Sequence, residues 1–533
     1  MLVTTACTEP TAGPSDDGLD AVAAKLSPIG QDVIAALRTG HAESRGQTWD
    51  VGTDNSFDAD WVVQTPLASY WGTPASSLPV VSTCSGDPQC DPDFDLIACS
   101  AQSDCRFGGT CTTVAATVTH PGAAARQLCA GHSDAIYDRI YGLLVQANSS
   151  IEISSLAPPD GRFEAAVRNA LTYLASTGGS VRVRYMYGAI LGAALIEDPR
   201  TPDQVLASLV RDVESGTGLR VAVGELRDGI ESWDHAKIIA VDGTKAIVGG
   251  HNMWTRHYLE AAPVHDLSMQ VTGSAAFHAS QFADVLWRHA CKPPADLASV
   301  ALTSGFPDAT VGCDPSPLVA PAVGTGTGRV LTVGRLGALG DNAADDAIVA
   351  LVDASQSTLR LSIQDVGPVG AGMPWPEPYL RALAAATGRG VDVQIVMTNL
   401  NARPDGLSAG SSSYSNGWTP ADVAQQVAAY ATAHAEVMSG ADASAALCTH
   451  LHVATLRQGT DDLWPNGATF ANHAKLAIVD DAAFYLGSQN WYPANLFELG
   501  YIVDDPATTR QLLDAYYTPA WTESSRDVVS ACP

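Results

Sequence analysis

Residues 235–252 read HAKIIAVDGTKAIVGGHN, and residues 473–490 read HAKLAIVDDAAFYLGSQN. In both, a His is followed by Lys at +2, Asp at +7, Gly at +14 and Asn at +17. One His-x-Lys tripeptide carries no information, but the same five residues repeated in register mark a duplicated unit. The candidate catalytic set is His235, Lys237 and Asp242 with His473, Lys475 and Asp480, and Asn252 and Asn490 are candidate substrate-binding residues. These residue types suit displacement at a phosphodiester. Negative charge spreads over the phosphoryl oxygens as the nucleophile arrives, and fixed ammonium and amide donors lower that barrier. Two Lys and two Asn supply such donors without a metal, so no cofactor is expected. One neutral imidazole attacks phosphorus, and a second, protonated one gives its proton to the leaving alkoxide and later activates the acceptor. The two rings must hold opposite protonation states, which neighbouring carboxylates can arrange.

The runs KIIAVD and KLAIVD read as buried strands, which puts each His and its Lys on one face. The stretches DGTKAIVGG and DDAAFYLGS then give a tight turn and a returning strand. Small residues at Gly249, Gly250, Gly487 and Ser488 would let backbone approach a ligand closely, so Gly250 and Ser488 join the substrate-binding candidates. The competing reading, two ordinary hairpins with exposed His and Lys, would stand for either copy alone.

With its duplicated His-x-Lys-x4-Asp, the chain resembles the phospholipase D superfamily, and within it the secreted actinobacterial enzymes. The segments DWVVQTPLASYWG (60–72), IEISSLAPPDGRFEAAV (151–167) and DDAAFYLGSQNWYPANLFELGYIVD (480–504) carry the same likeness. The resemblance implies that His235 is the nucleophile, that His473 is the acid and base, and that the Lys and Asn residues hold the phosphate. It also implies an acidic partner for each imidazole, at Asp266 in PVHDLSMQVTG and at Glu498 in LFELGY. The resemblance implies Asp at that second position, so Glu498 is a departure from it. By the same resemblance Trp254, Tyr258 and Tyr414 line a head-group pocket, where aromatic faces would cage a quaternary ammonium. Packing is the competing role for each of these rings. A Cys291–Cys313 disulfide is implied as well.

The formal net charge is −28. Nucleic-acid binders need a basic footprint, so this acidity disfavours a nuclease. Hydrophobic content of 46% and charged content of 16% in 533 residues describe a globular chain with room for two domains. No apolar run reaches the length of a membrane span. Six of the 11 Cys (84, 90, 99, 105, 111 and 129) crowd into one Gly- and Asp-rich stretch. That density reads as a disulfide-stapled loop module of an oxidising compartment, with connectivity open. A zinc site is the rival, but CxxC spacing is missing. Elimination pairs Cys448 with Cys532 and leaves Cys7 over, where a lipid anchor competes with a mature or truncated N-terminus ahead of a flexible leader at 8–18.

The repeat extends upstream of each motif. Strand 148–157, helix 162–176 and strand 180–188 recur as 358–365, 376–390 and 391–399, a βαβ unit in each half. The expected architecture is two similar α/β/α sandwich domains with pseudo-twofold symmetry and the active site at their interface. The expected boundaries are 1–318, containing the Cys-rich insertion 84–129, a linker at 319–330 and a second domain at 331–533. Loops 371–378 and 408–418 are candidate lids, and His450 with His452 should share one face of a strand. The function implied is a secreted, monomeric phospholipase D acting at a membrane or micelle surface. It would cleave phosphatidylcholine and related lipids, with water or a primary alcohol as acceptor. A superfamily phosphodiesterase or nuclease and a non-catalytic lipid-binding protein are the alternatives.

Overall fold

The computed structural model describes residues 16–190, 198–314, 324–369, 372–403, 414–438, 442–530 and 532. Two nine-stranded mixed sheets form its frame. In the first, Ser150–Ser155, Arg182–Gly188 and Arg220–Asp228 run parallel. The motif hairpin Ile238–Val241 and Lys245–Gly249 adds antiparallel to Ser150–Ser155, followed by Asp266–Thr272 and Val62–Thr65. The second sheet repeats the plan with Thr358–Ile363, Asp392–Met397 and Leu451–Thr455, then Lys475–Val479, Ala483–Gly487, Phe497–Val503 and Gly328–Leu336. Alternate residues of the parallel strands build one apolar face, Ile151, Ile153, Val183 and Tyr185 in one sheet matching Leu359, Leu361, Val393 and Ile395 in the other, and buried Glu152 on the opposite face pairs with Arg184. The βαβ crossovers run through helices Gly161–Ser176 and Glu377–Gly388, each with an amphipathic stripe against its sheet. Helix Ser274–Ala290 packs in a core shared by both halves, where Phe282 and Leu286 meet Leu476 and Tyr501.

The N-terminal boundary differs from expectation. Strand Trp49–Asn55 pairs antiparallel with Gly328–Leu336, and Leu19, Val33 and Leu37 bury themselves in the core of the second half. The helix Pro28–Gly40 covers an apolar face of Ala343–Asp353 that would otherwise be exposed, and Ser27 N–H donates to Asp504 at 2.7 Å. The chain therefore begins on the second half and crosses to the first before Val62. Residues 328–330, expected as linker, already belong to a strand, and 315–323 lie outside the described residues.

Five disulfides close loops: 84–90, 99–111, 105–129, 291–313 and 448–532. The Cys-rich stretch is more than stapled loop. It folds as two small hairpins and sends Phe94, Leu96, Val114 and Leu128 into the core of the first half. Cys7 and residues 408–413 of one expected lid lie outside the described residues. The described parts of both lids are tied together, with Trp375 and Trp418 rings 4.8 Å apart and Trp418 Nε1–H donating to Pro368 O at 2.8 Å. His450 and His452 do not share a strand face: His450 ends helix Ala443–His450, and only His452 lies on Leu451–Thr455. Among the described residues no helix is long and apolar enough to cross a membrane.

Candidate active site

Register fixes where the two motifs meet. Ile238 pairs with Ser154 and Lys475 with Ile363, so His235 and His473 sit at the C-terminal ends of the central parallel strands. Each is then stitched to the opposite half. His235 N–H donates to Phe497 O at 3.0 Å, and His473 N–H donates to His265 O at 2.7 Å. Backbone hydrogen bonds across the pseudo-twofold axis hold both imidazoles at one cleft.

The side chains cross in the same way. His235 Nδ1 lies 2.9 Å from Glu498 Oε2, and His473 Nδ1 lies 2.7 Å from Asp266 Oδ2. The carboxylate downstream of each motif thus serves the imidazole of the other motif. A proton on each Nδ1, held by its carboxylate, leaves both Nε2 atoms for the cleft. Lys237 and Lys475 lie on the same strand faces as their histidines, and each ammonium donates to the carbonyl of its own motif His, at 2.6 and 2.5 Å. Those bonds leave protons on each ammonium for a phosphate. The amide oxygens of Asn252 and Asn490 are buried without hydrogen-bond partners among the described residues. A phosphodiester anion offers these oxygens no proton, so it is the amide nitrogens of the same side chains that can meet its oxygens.

Burial dominates the electrostatics. It pushes Lys237 down to about 8 and Lys475 down to about 7, and the nearby Lys237 ammonium presses Lys475 further down. Burial, reinforced by both ammonium groups, also holds both imidazoles well below their ordinary range. It raises Glu498 to about 8 and Asp266 above the usual carboxylate range. Burial thus disfavours every charge in this site. A bound phosphodiester anion relieves the ammonium groups and the imidazolium together.

Asp234, immediately before His235, occupies the position that Asn472 takes in the second half. Asn472 donates to Ser362 Oγ, Ile363 O and Val396 O and accepts from Ala474 N–H. Asp234 accepts from Ser154 Oγ at 2.6 Å and from Ala236 N–H at 3.0 Å, and burial lifts it to about 8. With its pKa raised, the folded state binds more protons than the unfolded state between about pH 4 and pH 8, so stability falls as pH rises through that window. Asp234→Asn, which copies the other half, should raise the melting temperature more at pH 8 than at pH 5. An equal shift at both pH values would refute the buried-proton reading.

Five expected roles change. Asp242 and Asp480 are remote from the imidazoles. Each sits at positive φ in its hairpin turn and accepts backbone N–H bonds from the start of the central strand, 148–150 for Asp242 and 356–358 for Asp480. The seven-residue spacing to His carries each Asp to the far end of the strand, where it caps the turn. Tyr258 is fully buried and gives its hydroxyl proton to Asp266 at 2.8 Å, so it supports a carboxylate and does not line the cleft. Gly250 is small for Asp266, not for a ligand: a Cβ there would lie 2.0 Å from Asp266 Oδ1. Ser488, at the matching position, donates to Glu498 at 2.5 Å.

Above the imidazoles lies a cavity of about 220 Å³ bounded by His235, His473, Asn252, Trp254, Tyr414 and Tyr492, with His257 and Gln364 beside them. Trp254 and Tyr414 both stand in its wall. The Tyr414 ring stands edge-on to His473 at 4.9 Å, and its hydroxyl meets His257 Nδ1 at 2.5 Å. Tyr492 was not anticipated, although it occupies the register position of Trp254, two residues beyond the motif Asn. It accepts from Asn490 Nδ2 at 2.7 Å. Extending the repeat by two residues would have found it.

The chain belongs to the phospholipase D superfamily. It is 31% identical over 452 residues to a phospholipase D of Streptomyces antibioticus, covering 75% of this chain and 79% of that protein. Residues 348–518 match the family model described as "Cardiolipin synthase, PLD-like domain". Among solved structures, the phosphatidylserine synthase of Haemophilus influenzae is 14% identical with a TM-score of 0.46, covering 74% of this chain and 85% of that one. The phospholipase D family member Nuc of Salmonella typhimurium is 16% identical with a TM-score of 0.22, covering 37% of this chain and 96% of its own.

Proposed function

We propose that this protein is an extracellular phospholipase D that converts phosphatidylcholine and related glycerophospholipids to phosphatidic acid and free head group. The observation that carries the reading is the crossed pairing of His235 with Glu498 and His473 with Asp266 at the floor of one cleft. Neutral His235 attacks phosphorus through Nε2, and the bond from phosphorus to the head-group oxygen breaks. Protonated His473 gives that oxygen its proton, so the head group leaves as an alcohol. His473, now neutral, takes a proton from water or a primary alcohol as that oxygen attacks phosphorus. The P–N bond breaks and His235 is restored. Lys237, Lys475, Asn252 and Asn490 hold the phosphoryl oxygens, where donors placed in advance stabilise the developing charge. His473 is assigned as the acid because Tyr414 packs against its ring, which puts the leaving head group beside Trp254 and Tyr414. The disulfides fit an oxidising compartment.

Incubation with phosphatidylcholine and ethanol tests reaction class and covalent mechanism together. Phosphatidylethanol should form alongside phosphatidic acid, and total head-group release should stay nearly constant as ethanol rises if attack by His235 limits turnover. Choline release with no phosphatidylethanol at any ethanol concentration would remove the shared intermediate.

A further inference from the structure

Large apolar side chains exposed on this protein are not scattered. Of the eight among the described residues, Ile230, Leu297, Val369, Met373, Leu400, Leu463 and Val528 flank the C-terminal ends of the parallel strands. The placement follows from the topology. Ile230 follows the parallel strand Arg220–Asp228, and Leu297 precedes Val300–Phe306, whose Val300 pairs with Arg227 at that same strand end. Val369 and Met373 follow Thr358–Ile363, Leu400 follows Asp392–Met397, and Leu463 follows Leu451–Thr455. These are the C-terminal ends of the parallel strands in both sheets. The cleft opens at those ends, because His235 and His473 stand there and because Leu156, Trp233 and Gln364 in its wall come from the same strand ends. Only Leu302, within an edge strand, falls outside this pattern, since Val528 precedes Val529, which pairs with Val453 near the end of Leu451–Thr455. Exposed apolar residues spread over a monomer need no explanation, whereas seven gathered at the strand ends where the cleft opens mark an interaction site.

We infer that this face docks the protein onto a zwitterionic phospholipid surface, with the apolar side chains of both halves entering the interface around the cleft. The choice of occupant rests on the proposed lipid substrate; the existence of a docking face does not. A phosphodiester at a lipid surface reaches the two imidazoles only if the rim meets the head-group layer, and rim residues that enter it gain burial of apolar area. Charge selects the kind of surface. Asp228, Glu231, Asp296, Asp461 and Asp462 neighbour these apolar residues in sequence, and the whole chain carries −28. Anionic lipid would be repelled, and a zwitterionic surface is tolerated. The two halves contribute separate patches, Ile230 with Leu297 and Val369 with Met373, so docking orients the cleft as well as attaching it.

Two paired variants, I230S/L297S and V369S/M373S, are compared with L302S, which removes the exposed residue off this face. Thermal melts verify the fold of all three, since surface substitutions of this kind change stability little. Sedimentation with phosphatidylcholine vesicles should show each face pair partitioning about tenfold less than the parent, and the L302S control unchanged. Hydrolysis of vesicular phosphatidylcholine should fall with partitioning. Hydrolysis of dibutanoyl phosphatidylcholine below its micelle concentration should be unaffected. Unchanged partitioning of both face pairs, an equal loss in the L302S control, or parent protein that prefers vesicles of anionic lipid would each overturn the inference. If the parent cleaves neither lipid, the proposed activity fails, while partitioning alone still decides the docking face.

Discussion

His235→Ala abolishes both turnover and covalent phosphoryl labelling, whereas His473→Ala loses turnover but keeps labelling. That is the expected result if His235 Nε2 is the nucleophile. Its Nδ1 is tied to Glu498, so the lone pair on the other nitrogen faces the cleft, where it can form the P–N bond. Removing His473 takes away the proton donor for the first step and the base for the second. A substrate with a good leaving group, such as phosphatidyl-p-nitrophenol, needs no donor, so the intermediate should accumulate in that variant. Each substitution should cost about 10⁴-fold or more in kcat. The measurement is denaturing electrophoresis after an alkaline quench with lipid radiolabelled in phosphorus. Label retained by His235→Ala and lost from His473→Ala would exchange the two roles.

The paired His and Lys of the cleft were legible because duplication supplies its own control: His235 with Lys237 and His473 with Lys475 match in type, spacing and strand context. The same repetition exposed both βαβ units, since apolar runs and helix stripes are local signals. Other features depend on which element of one half meets which element of the other. Nothing near Trp49 in sequence says that it will pair with Val333, because an edge strand is chosen by whichever sheet offers an open edge. Tyr258 follows the first motif by a few residues, yet its burial beneath Asp266 depends on how strand Asp266–Thr272 runs under it. Asp242 and Asp480 were misplaced by treating the whole motif as one site. The turn sequences Asp242-Gly243 and Asp480-Asp481 already offered the other reading, since Asp tolerates positive φ and caps turns. Those two residues hold the motif hairpin to the central strand, so they act on where the histidines stand and not on the reaction itself.

The crossed carboxylates give a sharper test than the histidines, because sequence proximity and structure make opposite statements. Glu498 lies downstream of the second motif but touches the first-motif imidazole, and Asp266 does the reverse. Glu498→Gln should therefore slow formation of the covalent intermediate, since the tautomer and orientation of His235 are no longer held by charge. Asp266→Asn should slow its breakdown, since His473 loses the group that stabilises its protonated form. Each should cost about 10²-fold or more in its own step, as removal of a carboxylate behind a catalytic imidazole typically does. Rapid-quench kinetics separate the two: a small burst with slow rise for Glu498→Gln, and a full burst with slow steady state for Asp266→Asn when the leaving group is activated. The length of Glu498 enters here as well. Its extra methylene spans to His235 with Ser488 holding one oxygen, whereas Asp266 is shorter, with Gly250 packed against it and Tyr258 holding the oxygen that meets His473. Glu498→Asp should consequently leave a gap at His235 and behave like Glu498→Gln in the first step, despite keeping its charge. A Glu498→Asp enzyme with parental burst kinetics would show that charge, not reach, positions the nucleophile.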